Sequence, residues 1–364
     1  MSKLKKKMIT REHIDEILRE YDPDNMKICT LGSHTALQIT KGARDEGFSN
    51  LLICTEKSAR FYRRWPVVDD IIKVNKYSDI LDQKMQDMLL ERNAILIPHG
   101  SFIEYVGAKN IIEKLKVPML GNRMVLEWES NRKKEKEWLK KSALKTPGEF
   151  KSPEDIDRLV IVKFPGAKGG KGYFLAKDEK EFHRKLGKIN LPDDVKNEYT
   201  IQEYVIGTRF YPHFFYSPLE DEVELLGMDI RYESNIDGLA RLPNAIQKEV
   251  DVEPEYVVTG NLPVILRESL LPDLMKLGRN IVESSKKLFK PGLIGPFCVE
   301  MICTPELEFV CFEISARIVA GTNLFIHGST YSKILYDEPM SCGRRICREI
   351  KTAGERNKLD EVVY

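Results

Sequence analysis

The sequence lacks long hydrophobic runs and lacks an excess of charge of either sign. No apolar stretch approaches the ~20 residues of a membrane-spanning helix, so we expect no membrane partner. Lysine and arginine (57) nearly balance aspartate and glutamate (56), for a net charge of +1. Nucleic-acid-binding domains are usually basic, and disordered chains combine high net charge with low hydrophobicity. With 42% hydrophobic residues, the composition argues against both classes.

The seven cysteines lack the spacing of a zinc or redox motif, because no Cys-x-x-Cys pair occurs. Several lie in apolar segments such as 51–54, which predicts small core side chains in a reducing compartment. The N-terminal lysines are not followed by the apolar segment of a signal peptide. We therefore expect a cytoplasmic protein.

The first third of the chain alternates apolar strand segments with helical segments. The strand segments are 27–32, 51–55, 71–74 and 94–98, and helices are predicted at 35–46 and 78–92. This alternation predicts an open parallel α/β domain over residues 1–125. Ligands of such sheets bind beyond the carboxyl ends of the strands.

The remainder predicts an α+β region with antiparallel sheets. Residues 127–142 are highly charged and predict one solvated helix that links two domains. The β-type segments that follow come in predicted pairs: 160–164 with 172–176, 199–205 with 213–217, then 223–229, and 294–303 with 307–314.

A strand lysine followed by a glycine-rich loop is the first motif that could carry chemistry. Burial of Lys163 within its apolar strand would be costly without an anion. Glycines let backbone N–H groups approach phosphate oxygens closely. The loop is neither a Walker loop nor a Rossmann fingerprint. Taken alone, it fits nucleotide binding and a solvated glycine-rich hairpin equally well.

Two acidic residues in a late hairpin are the most informative pattern. A turn near residues 306–307 would place Glu300 opposite Glu313. Like charges at directly opposite positions destabilise a sheet, and Mg²⁺ between two carboxylates would resolve the conflict. Arg317 lies on the same face and could meet a phosphate. The alternative is a hairpin whose acids face water.

Two strand ends of the first domain carry polar residues. Ser33 and His34 lie between a strand and a helix N-terminus, a position that attracts phosphate. His99 and Ser101 follow another strand of the same sheet. The alternatives are a helix cap for Ser33 and a packed loop histidine for His99.

Together these motifs resemble the ATP-grasp ligases. In that superfamily a strand lysine and a glycine-rich loop hold phosphates, and two acids on late strands bind magnesium. The resemblance implies an ATP-grasp fold with antiparallel sheets after the α/β domain. Its small subdomain would span 126–215 and its large subdomain 216–364. Ser315 stands where many members have asparagine.

Longer strings resemble the archaeal formate-dependent ligases that convert AICAR to 5-formaminoimidazole-4-carboxamide ribonucleotide (FAICAR) in purine biosynthesis. The strings lie at 30–35, 98–102, 121–123, 163–167, 231–238, 259–261 and 313–317, so the resemblance covers nearly the whole chain. It implies ATP, formate and AICAR as substrates, Mg²⁺ or Mn²⁺ as the metal, and a homo-oligomer. A related ligase with another acceptor and a non-catalytic nucleotide sensor are the alternatives.

The resemblance also implies roles for individual residues. Ser33, His34, Ser101 and Asn261 would contact the acceptor nucleotide. ATP would be held by Lys163, Lys168, Gly169, Gly170, Glu203, Tyr204, Val205 and Glu233. Glu300 and Glu313 would bind the metal, and Lys163 and Arg317 would be catalytic. Taken alone, an acid such as Glu203 is more often an exposed strand residue.

Overall fold

The structure is a computed structural model, which describes residues 8–164, 173–189, 198–250, 252 and 254–364. The strands are β1 (Lys27–Leu31), β2 (Ser49–Thr55), β3 (Asp70–Val74), β4 (Ala94–Leu96), β5 (Glu149–Phe150), β6 (Val160–Lys163), β7 (Tyr173–Ala176), β8 (Thr200–Glu203), β9 (Thr208–Ser217), β10 (Glu222–Asn235), β11 (Tyr256–Pro263), β12 (Gly295–Cys303) and β13 (Phe309–Ser315). The helices are α1 (Arg11–Glu20), α2 (Ala36–Asp45), α3 (Glu56–Tyr62), α4 (Gln83–Glu91), α5 (Gly100–Val106), α6 (Ala108–Lys114), α7 (Val125–Ser130), α8 (Arg132–Lys141), α9 (Glu179–Lys188), α10 (Ile236–Leu239), α11 (Asn244–Glu249), α12 (Leu271–Leu288), α13 (Thr330–Tyr336), α14 (Cys342–Glu355) and α15 (Leu359–Val362).

The first sheet is parallel, with strand order β3-β2-β1-β4. Its central strands are buried along most of their length, as expected for a parallel sheet that is covered on both faces. The predicted α/β fold of this region is confirmed. All seven cysteines are buried, as the sequence predicts. Across the described part of the chain, no helix is long and apolar enough to cross a membrane.

Two antiparallel sheets follow, which confirms the predicted fold class. One has the order β5-β8-β6-β7 and the other β11-β10-β9-β12-β13. The predicted pairing of 199–205 with 213–217 is wrong. β8 pairs with β5 and β6, whereas β9 pairs with β10 and β12. The chain changes sheets between β8 and β9, and short apolar segments carry little information about their partners.

The single charged helix expected at 127–142 is also wrong. Two helices, α7 and α8, meet at Asn131, whose Oδ1 accepts hydrogen bonds from the N–H groups of Lys133 (3.1 Å) and Lys134 (3.2 Å). Such a cap ends one helix and begins another. Trp138 is fully buried and donates to Ile281 O at 3.1 Å. The abundance of lysine and glutamate concealed this buried face.

The C-terminal segment returns to the first sheet. A Cβ atom added at Gly343 would lie 2.3 Å from Gln38 O, so α14 and α2 touch through their backbones. Met119 N–H donates to Tyr364 O (3.1 Å), and Gly121 N–H donates to Val362 O (2.8 Å). The expected boundary after residue 215 falls within β9.

Candidate active site

One face of the five-stranded sheet carries most of the polar residues of the candidate site. Register places Arg231 opposite Asn261 and Glu300 opposite Glu313, and residues two apart on a strand share a face. The residues of this face, called the site face below, are Arg209, Tyr211, His213, Asp229, Arg231, Asn261, Cys298, Glu300, Glu313 and Ser315.

The predicted register of the two acids is confirmed, but a bulge produces it. Near the turn the pairs run Met301↔Cys311 and Cys303↔Phe309, whereas beyond the bulge Glu300 pairs with Glu313. Phe312 is therefore the extra residue on β13. Without the bulge, Phe312 would stand opposite Glu300. A bulge re-aims a side chain in this way at many functional sites.

The charges of the acid pair are partly compensated within the protein. Glu300 is 9% exposed, and its Oε1 lies 2.9 Å from Arg231 Nη1. The Arg231 guanidinium also stacks over the Tyr211 ring, 3.6 Å from its centroid. Arg231 thus takes much of the role that sequence reasoning gave to a cation. That reasoning missed Arg231 as a site residue, although Arg231 begins segment 231–238, one of the segments that resemble the ligase family.

Glu313 lies opposite Glu300 on β13, with its side chain exposed. The nearby charge of Glu300 raises the pKa of Glu313 to about 7, although Lys163, Arg231 and Arg317 act in the opposite direction. The two acids therefore repel each other even among three cationic side chains. An added cation would relieve that repulsion.

The donor set fits a metal that is shared with a phosphate group. Among the described residues, no group of three or more histidine, cysteine or acidic side chains is arranged to hold a metal ion. Two carboxylates would supply part of an octahedral shell, and phosphate oxygens and water would complete it. Magnesium in phosphoryl-transfer sites is commonly bound in this way.

Lys163 connects the four-stranded antiparallel sheet to the acid pair. Its Nζ donates to Gln202 Oε1 at 2.8 Å and lies 5.8 Å from the Phe312 ring centroid. Burial lowers the pKa of Lys163, while Glu313 is the largest opposing influence. Gln202, its hydrogen-bond partner, was missed from the sequence. Lys168, Gly169 and Gly170 lie outside the described residues.

The residues expected at the adenosine lie between the two antiparallel sheets. Glu203 Oε2 accepts from Gly148 N–H (3.1 Å), and the hydroxyls of Tyr204 and Tyr256 are 2.8 Å apart. Val205 is half-buried in the segment that joins β8 to β9.

Glu233 lines an open depression of about 420 Å³ on the large sheet. Both of its carboxylate oxygens accept hydrogen bonds from Arg209 Nη1, at 2.9 and 2.7 Å. Loss of hydration raises the pKa of Glu233, and Arg209 opposes that shift. Arg209 is a further residue that sequence reasoning did not single out.

The ends of β1 and β4 meet Arg317. The His34 and His99 rings stack at 5.3 Å, and burial lowers their pKa values to about 3 and about 4. A Cβ atom added at Gly100 would lie 3.0 Å from His34 Nε2 and 3.3 Å from Arg317 Cζ. Two neutral rings and one guanidinium thus surround this glycine.

The alternatives given above, a helix cap for Ser33 and a packed histidine for His99, have different outcomes in the structure. Thr35, not Ser33, is the N-cap residue of α2. His99 is fully buried and its Nδ1 accepts from Phe102 N–H at 3.1 Å, so it packs as a helix cap of α5. Ser33 and Ser101 are half-buried beside His34 and Gly100.

Two acids of the charged segment 127–142, which forms α7 and α8, hold β13 in place. Sequence reasoning missed both. Glu135 Oε1 accepts from Ile314 N–H (2.8 Å), and Glu129 Oε2 accepts from Ala316 N–H (3.1 Å). Glu129 Oε1 also lies 3.1 Å from Arg317 Nη2. Burial raises the pKa of Glu135 well above its usual value. In a segment rich in charge, no local signal distinguishes these two acids.

Solved structures share the fold of this chain. The chain is similar to a crystal structure of an IMP biosynthesis protein PurP from Thermococcus kodakaraensis (31% identity, TM-score 0.74, 93% of this chain and 100% of that chain). It also shares its fold with an N5-carboxyaminoimidazole ribonucleotide synthetase in complex with ADP (14% identity, TM-score 0.62, 90% and 77% covered). Fold and site together define an ATP-grasp ligase.

Sequence comparisons give the family. A domain of unknown function (DUF1297) matches residues 178–364, and a protein of unknown function (DUF1246) matches residues 28–150. The 5-formaminoimidazole-4-carboxamide-1-(beta)-D-ribofuranosyl 5'-monophosphate synthetase of Methanocaldococcus jannaschii is 48% identical over 98% of this chain and 100% of its own length. The protein of the same name from Methanopyrus kandleri is 49% identical, with the same coverage. The chain belongs to this family of FAICAR synthetases.

Proposed function

We propose that this protein formylates AICAR with formate and ATP, giving FAICAR, ADP and phosphate in purine biosynthesis. The observation that most supports this function is the position of Arg317, which acts on Glu313 together with Lys163 and also lies beside Gly100 at a strand end of the first domain, in a chain of this family. A ligase with another acceptor amine is the second candidate.

The proposed reaction has two steps. A formate oxygen attacks the γ-phosphorus of ATP and the bond from the γ-phosphorus to the β-phosphate oxygen breaks. ADP leaves, and formyl phosphate remains. The exocyclic amine of AICAR then attacks the formyl carbon, loses a proton, and displaces phosphate. Lys163 and Arg317 would stabilise the transferred charge, since phosphoryl transfer depends on positioning and electrostatics. Formyl phosphate hydrolyses readily, so the cleft must exclude water.

ATP and a divalent cation are part of the proposal. A biotin carboxylase domain from Hydrogenobacter thermophilus with the same fold was solved with MgADP. In this chain Glu300 and Glu313 would hold Mg²⁺, or Mn²⁺, which accepts the same oxygen ligands. When bound, the cation would neutralise phosphate oxygens.

The remaining proposed contacts follow the family resemblance. Lys168, Gly169 and Gly170 would cover the phosphates, and Glu203, Tyr204, Val205 and Glu233 would hold the adenosine. Ser33, His34, Ser101 and Asn261 would contact AICAR. We also propose the domain division 1–125, 126–215 and 216–364, a cytoplasmic location and a homo-oligomer.

One assay tests the reaction. Purified protein is incubated with ATP, Mg²⁺, formate and AICAR, and both ADP and FAICAR are followed. We expect ADP release that requires formate, and FAICAR in equal amount. The absence of formate-dependent ADP would contradict the proposal. Formate-dependent ADP without FAICAR would favour another acceptor, and ATP binding without turnover would favour a sensor.

A further inference from the structure

A buried carboxylate holds the side chain of Asn261. Asp229 is completely buried, and its Oδ2 accepts a hydrogen bond from Asn261 Nδ2 at 2.6 Å. Its other oxygen, Oδ1, lies 2.8 Å from Nε2 of the buried His213, although the ring is not aligned for a regular hydrogen bond. All three residues lie on the site face, next to Arg231.

This contact determines which end of the Asn261 amide faces Asp229. An amide has a donor end and an acceptor end. The Nδ2 end of Asn261 faces Asp229 Oδ2, so the carbonyl oxygen of Asn261 points away from that carboxyl group. Asn261 is half-buried, and its carbonyl oxygen can accept a hydrogen bond from a ligand.

Packing around Asp229 leaves its carboxylate little freedom. A Cβ atom added at Gly321 would lie 2.4 Å from Asp229 Oδ1, so only glycine fits beside it. The same short segment reaches the first domain, where Asn323 Nδ2 donates to His34 O at 3.3 Å. The segment that packs against Asp229 through Gly321 thus also contacts, through Asn323, the strand end that carries His34.

We propose that Asp229 is a positioning residue, which fixes Asn261 so that its carbonyl oxygen accepts a hydrogen bond from the exocyclic amine of the acceptor nucleotide. This inference rests on the proposed function. An acceptor at the amine N–H directs the nitrogen lone pair towards the formyl carbon, and correct orientation is a large part of such catalysis. In this role Asp229 acts through Asn261 and touches none of the three substrates.

The test combines Asp229→Asn with Asn261→Ala. With asparagine at 229, the Asn261 amide can turn over, so we expect the Kd and KM for AICAR to rise about tenfold. The KM values for ATP and formate should change less than about twofold. Since Asp229 acts through Asn261, the double variant should bind AICAR no more weakly than Asn261→Ala alone. Additive losses, or an equal loss for ATP, would overturn the inference.

Control variants separate this role from folding. Asp221→Asn makes the same chemical change at an exposed carboxylate, and AICAR binding should stay at the wild-type value. If Asp229→Asn does not fold, Gly321→Ala keeps the charge but displaces Oδ1, and the same selective loss is expected. Unchanged AICAR binding in Gly321→Ala would then overturn the inference. Wild-type protein that neither binds AICAR nor turns it over would instead refute the proposed function.

Discussion

Two pairs of titratable side chains flank Arg317, and the protein treats them in opposite ways. The acid pair Glu300 and Glu313 is surrounded by Lys163, Arg231 and Arg317, which favour the charged forms of the carboxylates. The stacked pair His34 and His99 is buried beside the same arginine, which favours neutral rings. One region is built to hold charge and the other to exclude it. The boundary between phosphate chemistry and acceptor binding is therefore expected at Arg317.

The largest expected effect tests the charged region. Glu313→Gln preserves shape but removes one carboxylate charge, so we expect kcat to fall by roughly 10³-fold with little change in Tm. Steady-state kinetics and thermal unfolding measure both quantities. Glu308→Gln changes an exposed acid of the same hairpin and should leave kcat unaltered. Normal turnover by Glu313→Gln would refute the assignment of the acid pair as a metal site.

The second prediction tests whether phosphate chemistry and acceptor binding meet at Arg317. Gly100→Ala would place a methyl group 3.0 Å from His34 Nε2 and 3.3 Å from Arg317 Cζ. We expect kcat/KM for AICAR to fall by about 10²-fold, because small displacements of positioning groups are costly. Gly187→Ala is the matched control, since its Cβ meets open space. Equal values of kcat/KM for AICAR in the two variants would show that AICAR does not bind beside Gly100.

The smallest effect concerns the neutral region and appears in stability. The folded-state pKa of His99 is about 4, below its ordinary value near 6.5, so the unfolded chain binds the extra proton. The stabilising contribution of neutral His99 to the free energy of unfolding is present above pH 6.5 and is lost as the pH falls towards 4. The free energy of unfolding then decreases by up to about 1.4 kcal/mol per pH unit. His99→Gln should flatten that slope in urea unfolding between pH 4.5 and 6.5. His183→Gln, at an exposed helix position, should leave the slope unchanged, and an equal slope for His99→Gln would contradict this account.

Sequence reasoning succeeded where the signal is local. The buried strands of the first domain, the strand lysine and the late hairpin all follow from apolar periodicity and from turn position. It failed for the partner of 199–205 and for the helix at 127–142. In both places the segments are short or highly charged, so local propensity and periodicity are compatible with several tertiary arrangements.

The sequence by itself determined the fold class and the strand that carries Lys163, because strand periodicity sets these features. It also predicted that Glu300 lies opposite Glu313, but in the folded chain this register depends on the bulge at Phe312. Tertiary structure alone decided that Arg231 neutralises Glu300, that Glu129 and Glu135 hold β13, and that Asp229 holds Asn261. These contacts join residues up to 187 positions apart. Electrostatic and hydrogen-bond energies depend on distance and burial, which only the folded chain defines.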